Sequence, residues 1–125
     1  MPTAQVVTIT EKTAFSVKEI IWDWLSTDAG VVVGSVTTYP YTGRCIYCSL
    51  ESDAATTDPT DQWDCTVKDA DGVDVLKGLG ADVTKAATVY KADSDGLGAV
   101  VESKLTLAVS GAGNAKGGIV RLFIR

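Results

Sequence analysis

The sequence predicts an all-β fold: an antiparallel β-sandwich, jelly-roll-like, with about eight strands and little or no helix. Three observations carry this reading. Six stretches alternate apolar and polar residues with period two, which is the mark of a half-buried strand. No long window repeats apolar residues at i, i+3, i+4 and i+7. Short Gly- and Asp-containing turn signals separate the alternating stretches at roughly 8–12-residue intervals, the spacing of sandwiches and barrels.

The first alternating stretch is VKEIIWDWLS, residues 17–26. Ile20, Trp22 and Trp24 share one face, with Lys18 at its start, and Glu19 and Asp23 point the other way. GVVVGSVTTYP (30–40) is β-branched and ends at Pro40. GRCIYCSLES (43–52) sets Ile46, Cys48 and Leu50 against Cys45, Tyr47 and Ser49. DQWDCTVKD (61–69) alternates most cleanly, with Trp63, Cys65 and Val67 inward and Gln62, Asp64, Thr66 and Lys68 outward. SKLTLAVSG (103–111) turns Leu105, Leu107 and Val109 inward against Lys104, Thr106 and Ala108. GIVRLFIR (118–125) turns Val120, Leu122 and Ile124 inward, leaving Arg121, Phe123 and Arg125 on the other face.

VDVLKG (73–78) and ATVYKA (87–92) are weaker strands, and QVVTIT (5–10) is a short amino-terminal one. Turns are expected at Asp28-Ala29-Gly30, Tyr41-Thr42-Gly43, Asp71-Gly72, Asp95-Gly96 and across 110–118. Residues 53–60 form the longest expected loop, since Pro59 does not fit a central strand. Residues 78–86 read as a loop or one helical turn. The 125 residues form one domain, 1–125, in which 1–16 serve as an amino-terminal arm or edge strand.

Composition narrows the function. The net charge of −5 argues against nucleic acid and against anionic membranes, both of which require clustered Lys and Arg. Histidine is absent, which removes the commonest general base and zinc ligand and lowers the expectation of an enzyme. No signal peptide or apolar run of membrane-spanning length is visible, so folding in a cytoplasm is expected. Three cysteines, an odd number, suit reduced thiols.

Four motifs invite a chemical reading. Cys45 and Cys48 have C-x-x-C spacing, with Cys65 as a third thiol. Positions i and i+3 of a regular strand lie on opposite faces, so these sulfurs are expected to be structural rather than zinc ligands. Asp69-Ala70-Asp71-Gly72-Val73-Asp74 opens like a calcium loop, making Asp69, Asp71 and Asp74 weak metal candidates. Glycine stands at the wrong position and Gly80 stands at position 12, where a glutamate is required, so a tight Asp-Gly hairpin turn between two strands is favoured; Asp93-Ser94-Asp95-Gly96 reads the same way. Gly111–Gly118 lacks the Gly-Lys-Ser/Thr that opens a phosphate-loop helix and reads as a strand connection. Trp22, Trp24 and Trp63 fit a core better than a sugar-binding platform. Glu51 and Asp53 cannot be set across a cleft from sequence alone. No catalytic residue and no cofactor is assigned.

Two segments carry a family resemblance. PTDQWDCTVKDADGVDVLKGLGADV (59–83) and KLTLAVSGAGNAKGGIVRLFIR (104–125) resemble a group of small virion proteins of tailed bacteriophages. The pattern falls on Pro59, Thr60, Asp61, Trp63, Asp64, Thr66, Asp69, Asp71, Gly72, Asp74, Val75, Leu76 and Gly78, and in the last strand on Asn114, Lys116, Gly117 and Gly118. The similarity runs from about Lys18 to the end, and the three cysteines lie outside the pattern. It implies a structural, non-enzymatic component of a bacteriophage virion, of the capsid decoration or cement type, binding the major capsid protein on the outer shell. By analogy it implies a homo-oligomer such as a trimer, on the capsid surface of a virion assembled in the host cytoplasm. A head–tail joining or tail protein is the alternative within the same resemblance. A carbohydrate- or receptor-binding β module is a further alternative. Interface candidates are Arg121, Phe123 and Arg125 on the last strand, the amino-terminal segment, and Tyr39 and Tyr41 around Pro40.

Overall fold

A computed structural model describes residues 4–14 and 16–125. The part of the expected amino-terminal arm that falls on residues 1–3 and Phe15 lies outside the described residues. Nine strands follow in chain order: β1 Val6–Ala14, β2 Val17–Leu25, β3 Val32–Val36, β4 Gly43–Ser52, β5 Asp64–Lys68, β6 Val89–Ala92, β7 Val100–Val101, β8 Thr106–Ser110 and β9 Gly117–Ile124. The only helical pieces among the described residues are single 3-10 turns at Ala55–Thr57 and Asp93–Asp95.

One sheet runs β1-β2-β9-β4-β6, with β7 continuing along the same side of β4, and the second runs β3-β8-β5. Every pairing is antiparallel. From β2 onward successive strands alternate between the sheets, with β6 and β7 together occupying one position beside β4, which is the order of a jelly roll. The eighth jelly-roll position, beside β5, is held by an irregular segment that forms no continuous ladder there but two isolated bridges, Lys68 with Asp74 and Trp63 with Val83.

Burial follows the alternation of the sequence. Ile20, Trp22 and Trp24 of β2, Trp63, Cys65 and Val67 around β5, Leu105, Leu107 and Val109 around β8, and Val120, Leu122 and Ile124 of β9 all lie between the sheets. Two indoles tie the core together. Trp22 Nε1 donates across the sandwich to the Ser35 carbonyl at 3.2 Å. Trp63 Nε1 donates to Ser52 Oγ at 2.9 Å, with its ring centroid 4.9 Å from that of Trp24. Trp24 lies over Gly118, where a Cβ would stand 2.9 Å from the indole, so the glycine makes room for the ring.

Two sequence expectations are corrected. The segment 73–78 is not a return strand. Its Asp-Gly turn forms, with Asp69 N–H on the Val73 carbonyl and Gly72 N–H on the Asp69 carbonyl, both at 3.0 Å. After the single bridge at Asp74 the chain then coils through successive turns. Consecutive Val75 and Leu76 are both fully buried, and Lys77 and Gly78 take positive φ, which ends the extended run. The second correction concerns β4. Its register against β9 shifts between Cys45 and Tyr47, so Ile46 is an extra, bulged residue. The bulge restores phase, and Cys45 and Cys48 both face the core on the side of Ile124 and Leu122. The regular-strand argument that separated them therefore fails.

Candidate functional site

The outer face of the six-stranded sheet is built by the residues that alternate with the core. Registers align Thr10 of β1, Ile21 of β2, Arg121 of β9 and Ser49 of β4 across the sheet, and Glu19, Phe123 and Tyr47 in the next row. Tyr90 of β6 is opposite Ser49. Tyr47 is the hub of an aromatic cluster: Phe123 meets it edge-on at 5.7 Å, and Tyr90 stacks on it at 6.2 Å with 25° between the rings. Tyr90 is 60% exposed, while Ile21, Ile119, Tyr47 and Phe123 are half-buried. Arg121 Nη1 lies 3.1 Å from Glu51 Oε2 in the middle of the face. Such a part-exposed pair contributes at most about 1 kcal/mol, so its main effect is to orient the guanidinium.

The far end of the face is acidic. Asp23 projects from β2 and Glu51 from β4, and Asp53 follows just past the end of β4. Burial raises the Asp53 carboxyl above its ordinary range, the Asp23 and Glu51 charges push the same way, and a hydrogen bond from Thr57 Oγ1 at 3.3 Å partly opposes them. A shallow hollow of about 240 Å³ lies here between Val6, Leu25 and Asp53. A second hollow, also about 240 Å³ and mainly apolar, opens between Val33, Thr66 and Ala108 of the three-stranded sheet.

The interface candidates separate. Arg121 and Phe123 belong to the aromatic face, and Arg125 is exposed just past the end of β9, where its backbone exchanges two 2.9 Å hydrogen bonds with Arg44. Tyr39 is 61% exposed but sits apart, on the β3–β4 connection. Tyr41 is buried, and its hydroxyl donates to Glu11 Oε1 at 2.7 Å, so it supports the fold and presents no contact surface. Tyr47 and Tyr90 complete the cluster. Alternation in 43–52 already points Tyr47 outward, whereas the stacking of Tyr90 on it depends on the pairing of β4 with β6.

Two aspartates of the candidate metal loop, Asp69 and Asp74, turn their carboxylates to the backbone. Asp69 Oδ1 accepts from Asp71 N–H at 2.9 Å and Val73 N–H at 3.0 Å. Asp74 accepts from Val67, Leu76 and Gly78 N–H groups at 3.0–3.2 Å. Among the described residues no three His, Cys, Asp or Glu side chains converge as a metal site. Cys45, Cys48 and Cys65 are buried thiols outside any disulfide. Burial pushes Cys48 up to about 11 and Cys65 higher still, which disfavours the thiolate needed for metal binding or nucleophilic attack. All three tryptophans are in the core and cannot form a sugar platform.

A clasp not visible in the sequence closes the side of the sandwich between β1 and β3. Gln5 brackets Val33, accepting from its N–H and donating to its carbonyl, each at 2.8 Å. Glu11 accepts from Thr38 N–H at 3.1 Å, Tyr39 N–H at 3.2 Å and Tyr41 Oη. Burial alone would raise the Glu11 carboxyl, but these hydrogen bonds outweigh it and hold the group below its ordinary value. A depressed carboxyl contributes stability that is present above its unfolded value and lost as pH falls through the folded one. The expected result is that Glu11→Gln lowers stability by up to about 1 kcal/mol at neutral pH and that its difference from the parent shrinks below pH ~4. Urea midpoints measured from neutral to acid pH check this. The difference curve is the informative one, because the raised Asp53 acts with the opposite sign in both proteins.

Compared with known protein families, curated proteins and solved structures, the chain matches none.

Proposed function

We propose that this protein is a structural component of a tailed-bacteriophage virion, a decoration or cement protein that binds the major capsid protein and stabilises the outer shell. The observation that carries the reading is the Tyr47–Phe123–Tyr90 cluster on the broad outer face of the six-stranded sheet. Large aromatic side chains held rigidly on a sheet lose little entropy on docking and are the usual anchors of protein interfaces. The resemblance of residues 59–83 and 104–125 to phage virion proteins supplies the particle. The role needs no chemistry, and repetition over a shell lattice lets a modest single contact suffice.

The copy number per particle, measured by quantitative mass spectrometry against the major capsid protein, tests the proposal. Hundreds of copies fit a shell protein, and about a dozen would transfer it to the head–tail joint. Absence from purified particles would remove the virion reading altogether. On particles that carry it, Tyr90→Asp is expected to reduce occupancy about tenfold or more while leaving the fold intact, since the ring is mostly solvent-exposed.

A further inference from the structure

We propose that two copies of this chain pair antiparallel through their β1 edges, joining the two six-stranded sheets into one continuous sheet across a two-fold axis. A sheet edge offers unpaired N–H and C=O groups to any other strand, and folded proteins blunt such edges. Three of the four edges here are blunted. The β3 edge is bulged at Val32–Ser35, with Gly34 at φ +65°, and Gln5 holds the Val33 backbone. The β5 edge is covered by the 74–83 segment, with Val75 N–H on the Val67 carbonyl at 2.7 Å and Cys65 N–H on the Gly80 carbonyl at 2.8 Å. The β6–β7 edge breaks after Ala92, whose N–H goes to Asp95 Oδ2 at 2.9 Å.

Only β1 stays regular. Its nine residues pair with β2 without a register shift and contain no Pro or Gly, and Val6–Thr10 is uncharged and mostly β-branched. The direction of its free groups follows from the ladder. Ser26 N–H donates to the Lys116 carbonyl at 2.7 Å, so even-numbered residues of β2 bond to β9 and odd-numbered ones to β1. Through the β1–β2 register, the N–H and C=O groups of Val7, Ile9, Glu11 and Thr13 point away from the sheet. None of those groups has a partner among the described residues.

The strand is complementary to itself. With Thr10 on the two-fold axis all nine residues overlap. Val7 then exchanges hydrogen bonds with Thr13 of the second copy, and Ile9 with Glu11. Lys12 faces Thr8, so no like charges meet. Both outer faces lie on the same side, which doubles the surface bearing the aromatic cluster. This pairing is independent of the virion role, and either can fail without the other.

Thr10 tests it, because the geometry places it beside its own copy in a non-hydrogen-bonded pair while leaving it exposed in the monomer. The parent is expected to run at twice its 13.1 kDa mass by light scattering. Thr10→Cys should cross-link to itself under mild oxidation, well above a Thr56→Cys control on the exposed 53–60 loop. Thr10→Asp, setting two carboxylates face to face, should be monomeric with an unchanged circular dichroism spectrum. If Thr10→Asp fails to fold, the cross-link decides. A monomer up to millimolar concentration overturns the proposal, as does a dimer or trimer in which Thr10→Cys does not cross-link above the control.

Discussion

Trp22→Ala is expected to destabilise the protein by about 3–5 kcal/mol, a large fraction of the ~5–15 kcal/mol that holds a domain of this size. Trp22 is fully buried at the centre of β2, between Ile9 of β1 and Val120 of β9 in the register. Removing the indole leaves a cavity that a rigid antiparallel ladder on both sides cannot collapse into. It also strips the Ser35 carbonyl of its donor from the opposite sheet. That second loss can be separated from the first. Trp22→Phe keeps most of the volume but not the N–H, and is expected to cost about 1–3 kcal/mol. Guanidinium unfolding followed by far-ultraviolet circular dichroism measures both. A loss below about 1.5 kcal/mol for Trp22→Ala would contradict the packing described here.

The core-facing strands were legible because burial on one face forces a period of two. Trp63-Cys65-Val67 and Val120-Leu122-Ile124 each keep strict alternation through a fully buried row. Where that constraint relaxes, the signal weakens. QVVTIT predicts a strand over 5–10, but β1 continues to Ala14 because Lys12–Ala14 are exposed on an edge and have no face to mark. ATVYKA predicts 87–92, while β6 occupies Val89–Ala92 and the two-residue β7 leaves no readable pattern. A bulge is likewise silent in sequence, since one extra residue in β4 moved Cys45 to the side of Cys48 without changing composition.

The candidate site divides along the same line. Tyr47, Arg121 and Phe123 follow from alternation, because the outer face is the complement of the core. Tyr41 does not. A Tyr-Pro-Tyr loop looks like a contact surface until Glu11, thirty residues away, takes the hydroxyl of its second tyrosine. Contacts of that range depend on how the β1–β2 hairpin lies over the β3 edge, and no local window contains both ends.

Asp74→Ala is the second large effect, expected at about 2–4 kcal/mol. The Asp74 carboxylate holds the irregular eighth position of the jelly roll. Oδ1 accepts from Val67 N–H on β5 and from Leu76 N–H, and Oδ2 accepts from Gly78 N–H. Those bonds give the backbone an alternative to a ladder, which explains why 73–78 leaves the strand conformation after one bridge. They also let Val75 and Leu76 enter the core together. Alanine leaves all three N–H groups without their acceptor and loosens the Val75–Leu76 plug. Asp74→Asn preserves Oδ1 but sets an amide nitrogen against Gly78 N–H, and should cost about half as much. Asp71→Asn, exposed at the tip of the turn, should change stability by less than about 0.5 kcal/mol. Thermal melts of the parent and the three variants, with and without calcium, separate a backbone brace from a metal site. The brace predicts the order Asp74→Ala, Asp74→Asn, Asp71→Asn, with no calcium dependence in any of the four. A calcium-dependent rise in the parent that Asp71→Asn removes would instead make Asp69, Asp71 and Asp74 ligands.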